Sequence, residues 1–306
     1  IRLYADLQYR HVDYTLAGID ADRLPLAETN TFDFFNPKLG LTYSLSQSAN
    51  IYASYSVGNK EPNRVDFVDA PEGETPKAET LRNLEIGYTQ NKKTYTIEAN
   101  YYLMNYKNQL VLTGELNDVG APLRTNVDQS YRMGIELMAG FLLSEKFSLN
   151  VNATFSNNVI KDFEEVIYDY GQNWDEYNAL LIDHGQTSIS FSPNVIAGGS
   201  LIFKPIKGMV FNWNNRYVGE QYLDNTSNEN RKIDAYYLSD IIASYSFSAL
   251  KMKSIGFRLA VYNLFNATYE SNGYTFGYRG GGEEIRENFF YPQAGTNFMA
   301  GLVLKL

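Results

Sequence analysis

Long stretches of this sequence alternate strictly between apolar and polar residues. From Phe147 to Phe155, every odd position is apolar and every even position is polar. Because successive side chains of a β-strand point to opposite faces, this period of two predicts strands with one apolar and one polar face. The same period recurs in 39–45, 51–57, 95–103, 135–141, 241–247, 255–261 and 298–306. No window shows a helical period, so we predict an all-β fold.

The alternating runs are too long for an ordinary soluble sheet. They span about 9–15 residues, whereas strands in soluble proteins usually have about 5–6. Transmembrane β-strands need about 9–11 residues at their usual tilt. The chain holds roughly twelve such segments, which favours an antiparallel transmembrane β-barrel. A large soluble sandwich or propeller is the alternative that the pattern leaves open.

Connections between the strands are sorted by length. Short polar turns are predicted at 46–50, 91–93, 144–146, 205–208 and 249–254. Longer stretches, predicted to be irregular, lie at 18–30, 60–77, 112–126, 161–185, 222–232 and 270–287. Short and long connections alternate, as they do in outer-membrane barrels with periplasmic turns at one rim and extracellular loops at the other.

Composition supports a membrane location and excludes other classes. The chain has 25 Tyr and 18 Phe among 306 residues, clustered near strand ends as in the aromatic girdles of membrane proteins. Cysteine is absent, which excludes a disulfide framework. The net charge of −9 argues against a nucleic-acid partner. Much of that acidity is local, because residues 161–185 carry seven acidic residues and one basic residue.

Four strings resemble segments of TonB-dependent outer-membrane receptors. They are Ile51–Asn63 (IYASYSVGNKEPN), Glu79–Tyr88 (ETLRNLEIGY), Ala260–Tyr269 (AVYNLFNATY, followed by Gly273-Tyr274) and Tyr291–Leu306 (YPQAGTNFMAGLVLKL). Their order is that of the family, and the last string is similar to the form found in Bacteroidetes members. One departure is the final residue, Leu306, where family members usually end in Phe.

The resemblance implies a barrel larger than this chain. Outer-membrane transporters of this type have about 22 strands and a plugged lumen. We therefore expect residues 1–306 to be the C-terminal part of the receptor β-barrel, with the plug domain and the N-terminal strands absent from this chain. A complete twelve-strand barrel is the structural alternative.

The same resemblance implies a function and a set of partners. It predicts an outer-membrane active-transport receptor that imports a scarce nutrient, first of all a ferric siderophore. The expected partners are outer-membrane lipid, the extracellular ligand, and the TonB complex acting through the missing plug region. Haem, cobalamin or a glycan are alternative ligands. A passive twelve-strand porin and an outer-membrane phospholipase-type enzyme are alternatives from other classes.

The sequence gives little indication of a catalytic site. Asp183-His184-Gly185 near Ser188 or Ser190 resembles a hydrolase triad only in composition, because no Gly-x-Ser-x-Gly elbow accompanies it. We expect no enzyme and no resident cofactor. His11 is expected at the lumen or rim, and haem ligation by either histidine stays open.

Two loop motifs also have simpler interpretations. Arg279-Gly-Gly-Gly-Glu283 lacks the strand–loop–helix context of a phosphate site, so we expect a flexible external loop. The seven acidic residues of 161–185 predict a solvated loop, with calcium binding as the alternative.

Ligand contacts are expected in the long loops or on the inward face near the outer rim. Aromatic and Arg side chains there suit a large, partly anionic ligand, through stacking and paired hydrogen bonds. The candidates are Asn63, Arg64, Tyr170, Trp174, Arg216, Tyr217, Gln221, Tyr278 and Arg279.

Overall fold

The computed structural model describes residues 1–19, 25–68, 70, 75–116, 122–249 and 252–305. Regular structure in these ranges is almost entirely β. The strands are β1 (Arg2–Ile19), β2 (Pro25–Ser44), β3 (Ala49–Lys60), β4 (Glu79–Asn91), β5 (Tyr95–Leu116), β6 (Pro122–Leu142), β7 (Phe147–Asp169), β8 (Asn178–Ser188), β9 (Val195–Phe203), β10 (Met209–Val218), β11 (Gln221–Tyr222), β12 (Lys232–Ile233), β13 (Tyr236–Phe247), β14 (Ser254–Tyr262), β15 (Glu270–Gly280), β16 (Glu283–Pro292) and β17 (Asn297–Lys305). One short helix, α1 (Arg64–Val68), follows β3. No helix of the described residues is long and apolar enough to cross a membrane.

Twelve strands form one continuous antiparallel path. Its order is β1-β2-β3-β4-β5-β6-β7-β9-β10-β13-β14-β17, and β1 and β17 are its two ends. The predicted all-β fold is therefore confirmed, and the roughly twelve predicted strands correspond to this path. Five further strands, β8, β11, β12, β15 and β16, lie off it. The sheet is open, because β1 and β17 do not pair with each other.

The alternation predicted from the sequence appears as two contrasting faces. Trp213 on β10 lies opposite Leu201 on β9 and Ile241 on β13. One residue further along, Asn214 lies between polar partners on the same two strands, Ser200 and Asp240. The apolar face is not covered by protein: the Trp213 side chain, for example, is 43% exposed. A large uncovered apolar face is suited to contact with lipid.

The two rims of the sheet carry connections of different length, as the alternation of short and long connections in the sequence predicts. The short turns all lie at one rim, where they are closed by main-chain hydrogen bonds such as Leu143 N–H to Phe147 O at 2.9 Å. Residues 250 and 251 of the turn at 249–254 lie outside the described residues. The long connections all emerge at the opposite rim.

The prediction that the long connections are irregular is wrong for most of them. The β1–β2 pairing continues to Ile19 and Pro25, and the β5–β6 pairing continues to Leu116 and Pro122. Residues 161–185 form most of the β7–β8 hairpin, and residues 270–287 lie in the β15–β16 hairpin. In these extensions neither face of the sheet has to contact lipid. The strands therefore continue without the alternation of apolar and polar residues by which strands are recognised in the sequence. Within these connections, residues 20–24, 69, 71–74 and 117–121 lie outside the described residues.

We call the alternating parts of the twelve strands of this path the wall. A small apolar core lies in the strand extensions and not in the wall. Its buried side chains are Val111, Val127, Ile160, Phe163 and Ile189. They come from β5, β6, β7 and the segment after β8, beyond the alternating parts of those strands. This core gives the long-connection rim a packed layer of its own.

Candidate functional site

The β15–β16 hairpin crosses from one part of the sheet to another. It follows β14 in the chain, yet Arg279 of β15 pairs with Asp169 of β7. The main-chain N–H of Tyr170 donates to the carbonyl of Arg279 at 2.9 Å, and that of Gly281 donates to Gly171 at 3.0 Å. Because β9, β10 and β13 lie between β7 and β14 in the sheet, the hairpin bridges these three strands.

A buried segment lies with this hairpin at the same rim. In the 221–233 connection, Leu223 and Asn225 are fully buried. The side chain of Asn225 accepts from Ser190 N–H at 2.8 Å and donates to the carbonyl of Leu112 at 2.5 Å. These bonds fix the connection to β5 and to the segment after β8. We call the segments 161–185, 221–233 and 270–292 together the roof.

Ion pairs join all three segments of the roof. Glu165 of β7 accepts from Arg231 at 3.0 Å, from Arg286 of β16 at 2.6 Å and from His184 of β8 at 2.8 Å. Arg231 also pairs with Asp224 at 2.9 Å. Glu165 and Arg231 are only 11% and 8% exposed, so their charges require these partners.

The charges in this network hold one another ionised. Burial by itself raises the pKa of Glu165, but Arg286, the hydrogen bond with His184, and Arg231 outweigh it and lower that pKa below its usual value. Burial by itself lowers the pKa of Arg231, but Asp224 and Glu165 raise it. Glu284 adds a weaker contact to Arg231 at 3.3 Å. The network therefore acts as a charged clamp between the three segments.

An aromatic cluster lies at the tips of the two roof hairpins. The Trp174 ring centroid is 6.4 Å from that of Tyr170 and 5.9 Å from that of Tyr278. Tyr170 and Tyr278 meet edge to face at 5.9 Å. Trp174 is still 55% exposed, so one side of this cluster is open to a ligand.

Glycines of the β15–β16 hairpin allow the indole ring of Trp174 to pack closely against it. A Cβ atom on Gly280 would lie 2.7 Å from the Trp174 ring, so only glycine allows this approach. Gly281 and Gly282 form the tip with φ angles of +60° and +83°, as two-residue hairpin turns require. The expectation of an open loop at 279–283 is therefore wrong: the segment is a tight turn between paired strands, packed on Trp174. Its external position stays a prediction.

The structure brings four of the nine candidate ligand residues together. Tyr170, Trp174 and Tyr278 form the cluster, and Arg279 is joined to it through its main chain. Ligand contact by each of them stays a prediction.

The other five candidates lie elsewhere. Asn63 caps α1, since its Oδ1 accepts from Val65 N–H at 2.8 Å, and Arg64 beside it is exposed. Arg216 and Tyr217 are neighbours on β10 and point to opposite faces. Tyr217 shares the apolar face with Trp213, not the inward face that we expected. Gln221 is 9% exposed, so it is a packed residue of the roof.

The histidines and acidic residues have partners of their own. His11 lies exposed beside Asp33 at 2.7 Å. His184 bonds to Glu165, while the Ser190 hydroxyl donates to the carbonyl of Leu112. Across the described residues, no group of three or more His, Asp or Glu side chains is arranged to hold a metal ion. The solvated-loop interpretation of 161–185 is wrong for Glu165, which is buried in the clamp.

Sequence reasoning missed the clamp. Glu165, Arg231 and Arg286 are separated by up to 121 positions, and each lies in a polar stretch without periodicity. The only available signal was the presence of two arginines within otherwise acidic or amide-rich connections.

This architecture defines a class of protein. An antiparallel sheet with an uncovered apolar face, tight turns at one rim and long connections at the other is a segment of an outer-membrane β-barrel. The family model described as TonB dependent receptor-like, beta-barrel, matches residues 1–264. The chain belongs to this family, which is one of outer-membrane receptors and transporters and not of enzymes. Its polar face is therefore the lumenal face.

Solved structures of similar fold agree with this assignment. The ferric citrate transporter FecA in its unliganded form is 17% identical, with a TM-score of 0.71, covering 99% of this chain and 42% of that one. The ferric-catecholate import receptor Fiu from E. coli is 17% identical, with a TM-score of 0.67, covering 97% and 41%. The ferric yersiniabactin uptake receptor FyuA from Yersinia pestis is 16% identical, with a TM-score of 0.67, covering 98% and 42%. This chain thus spans about two fifths of the length of these receptors. Among curated proteins, no sequence matches the chain.

Proposed function

We propose that this chain is the C-terminal part of an active-transport receptor that binds a ferric siderophore outside the cell and imports it with TonB-supplied energy. In this proposal the plug domain and the N-terminal strands belong to a part of the receptor outside this chain. Membership of the TonB-dependent receptor family supports import as the activity. Three receptors of similar fold are named for ferric ligands, which supports the choice of ligand class.

The observation that carries the proposal is the aromatic cluster of the roof. Trp174 and Tyr278 meet at the tips of hairpins that lie about a hundred residues apart in sequence, with Arg279 beside them. Aromatic faces stack on flat, unsaturated groups, and an Arg guanidinium pairs with carboxylate or other anionic oxygen. A ferric siderophore offers both kinds of group on a single large ligand.

The wall and the roof would have separate roles in import. Inside its two end strands, β1 and β17, the wall is a sheet whose main-chain groups are paired within the lipid, as a spanning structure requires. The roof, held by the clamp, keeps the aromatic cluster in one place at the extracellular rim. A ligand site fixed in advance loses less entropy on binding than one that must first be ordered.

Tryptophan fluorescence of the full-length receptor tests this site directly. This chain has two Trp residues, Trp174 in the roof and Trp213 on the lipid face. A ferric tris-catecholate complex should quench the emission of the receptor when it binds at the roof. Part of this quench comes from the tryptophans of this chain, and Trp174→Phe should remove most of that part. The matched control, Trp213→Phe, should retain it. Equal loss in both variants, or no saturable quench, would reject the roof as the ligand site.

Growth of a deletion strain tests the ligand class. Cells lacking the receptor should grow poorly when a ferric siderophore is the only iron source, and the full-length gene should restore growth only in the presence of TonB. A defect confined to haem or to cobalamin would replace the siderophore by that ligand. Unchanged growth on every iron source would remove the ferric siderophore from consideration.

A further inference from the structure

The rim of short turns has a charge opposite to that of the chain. We call the connections 45–48, 92–94, 143–146, 204–208 and 248–253 together the short-turn rim. They hold seven lysines and one acidic residue, Glu145, whereas the whole chain carries a net charge of −9. The lysines are Lys92, Lys93, Lys146, Lys204, Lys207, Lys251 and Lys253. Lys251 lies outside the described residues, and the other six lysines are exposed.

Two of these lysines face each other across neighbouring turns. The ladder between β7 and β9 ends with the pair Phe147 and Phe203. One residue further on, Lys204 N–H donates to the carbonyl of Lys146 at 2.8 Å. Lys207 lies in the same turn as Lys204. Like charges in opposite positions repel each other, so this place on the rim favours an anion between them.

The carboxylates near these lysines are few. Within the part of the chain that the structure describes, no ion pair involves a residue of the short-turn rim, although Glu145 is a chain neighbour of Lys146. In the four strand residues next to each lysine-bearing turn, Glu98 of β5 is the one acidic residue. It lies on the lumenal face, opposite Thr89 and Met138. The lysines therefore outnumber the carboxylates around them.

A row of aromatic rings fixes the depth of these lysines in the membrane. The rings of Phe147, Phe203 and Phe211 follow one another with centroids 4.4 and 6.2 Å apart. They lie on the lipid face, because Phe211 is two residues from Trp213 on β10. Aromatic girdles of this kind mark the interface between the hydrocarbon and the headgroups. Lys146 and Lys204 directly adjoin the row in sequence, which places them at the level of lipid phosphate.

Exposed apolar side chains lie among the lysines. Ile206, between Lys204 and Lys207, is 58% exposed, and Leu143, in the turn of Lys146, is 59% exposed. An apolar side chain at this depth can enter the membrane interface, while a lysine stem lies along apolar surface with its ammonium group in the headgroup layer. Apolar anchors next to lysines are the combination by which protein segments attach to anionic lipid surfaces.

We propose that the short-turn rim binds the headgroups of anionic glycerophospholipids in the periplasmic leaflet of the outer membrane. The centre of this surface is formed by Lys146, Lys204 and Lys207. A phospholipid presents its phosphate to the lysines and its acyl chains to the aromatic row, whereas a soluble polyanion would contact the lysines alone. The inference goes beyond the proposed function, since it holds whichever nutrient the receptor imports.

A fluorescent label on the rim tests the proposal in the full-length receptor. Pro205→Cys, in a turn with two lysines, and Gln47→Cys, in the turn at 45–48 without lysine, each carry a bimane label. The receptor is placed in phosphatidylcholine vesicles with a small fraction of nitroxide-labelled phosphatidylglycerol or nitroxide-labelled phosphatidylcholine. Near Pro205 the anionic lipid should quench about fivefold more effectively than the zwitterionic lipid, which is the effect of about one lysine at an anionic surface. Near Gln47 the two lipids should quench about equally.

Variants of the lysines identify the source of this preference. The triple variant Lys146→Gln, Lys204→Gln and Lys207→Gln should bring the two lipids to equal quenching near Pro205. The triple variant with Arg at the same positions should retain the preference, because it keeps the charge. Lys38→Gln, Lys60→Gln and Lys77→Gln together remove three charges away from this rim and form the matched control. Added salt should weaken the preference, because it screens exposed charges.

Several outcomes would overturn this proposal. They are equal quenching by the two lipids near Pro205 in the wild type, an equal preference near Gln47, and a preference that survives in the Gln triple variant. Equal quenching together with saturable binding of peptidoglycan fragments, lost in the Gln triple variant, would assign the lysines to an acidic polymer and also overturn lipid binding. Heat-modifiable migration of each variant on gels confirms that the barrel is folded. No imported ligand is present in this test, so its result is independent of the growth and fluorescence tests of the proposed function.

Discussion

The ring of Tyr52 covers Gly87 on the lumenal face of the wall. The two residues are direct partners on β3 and β4, and a Cβ atom on Gly87 would overlap the tyrosine ring. Tyr52 also donates to Asn100 of β5 at 3.1 Å, so its side chain spans three strands. Tyr102 lies in the same way over Gly134, its partner on β6. A tyrosine that fills the space beside a glycine links neighbouring strands on a face that has no apolar core.

Filling that space should destabilise the wall. We expect Gly87→Ala to lower the free energy of unfolding by about 1–3 kcal/mol, because the added methyl displaces the Tyr52 ring. Urea titration of the full-length receptor in lipid vesicles measures the change. Gly58→Ala on β3 is the control, since a Cβ atom there meets nothing within 4 Å. Equal effects of the two substitutions would contradict the role of the Tyr52–Gly87 pair.

The clamp should hold the 221–233 segment in place. Glu165→Gln removes the charge that Arg231 and Arg286 share. Arg231 then keeps Asp224, whereas Arg286 keeps only the longer contact to Glu284 at 3.6 Å. We expect roughly 3 kcal/mol of lost local stability, read as faster hydrogen exchange in 221–233. Glu164→Gln, at the neighbouring exposed position, should leave exchange unchanged. Similar protection in both variants would show that the apolar core alone holds the roof.

The clamp should also loosen in acid. The pKa of Glu165 is lowered on folding from its ordinary value of 4.5. The stabilisation is therefore fully present above about pH 4.5 and is lost as the pH falls through the folded-state pKa. Protection factors of 221–233, corrected for intrinsic exchange, should fall below pH 4.5 in the wild type. In Glu165→Gln this pH dependence should be reduced, and an unchanged profile would assign it to other groups.

Orientation in the membrane can be tested with single cysteines, because this chain contains none. Asn173→Cys, at the tip of the β7–β8 hairpin, should react with a membrane-impermeant maleimide in intact cells. Lys92→Cys, in the short turn between β4 and β5, should react only after lysis. The reverse pattern would invert the topology. This experiment requires a full-length receptor with no other reactive cysteine.

Sequence periodicity predicted the wall well because the wall has a single simple constraint. Each spanning strand separates lipid from a polar lumen, so the row that contains Trp213 had to be apolar and the row that contains Asn214 had to be polar. The length of the runs and the sorting of the connections depend on the same constraint, whereas the family was indicated by resemblance of four strings, parts of which, such as 263–269, lie outside the strands. Each of these predictions was confirmed.

The candidate site was predictable only in part. Tyr170, Trp174, Tyr278 and Arg279 were selected by residue type, and the structure shows that they meet. For Tyr217, the selection ignored that it and Arg216 must point to opposite faces. Gln221 gave no sign that it would be buried, since burial there depends on the packing of the roof around it.

The amino-acid sequence by itself determined the fold class and the sorting of the connections between two rims, because local alternation is enough to define a spanning strand. Four strings of residues in it indicated the family. Tertiary structure alone decided that the β15–β16 hairpin returns to β7 and that Glu165 is shared by Arg231 and Arg286. These relationships join residues far apart in sequence. Their energies arise from burial and from charges brought close together, and neither quantity exists until the chain has folded.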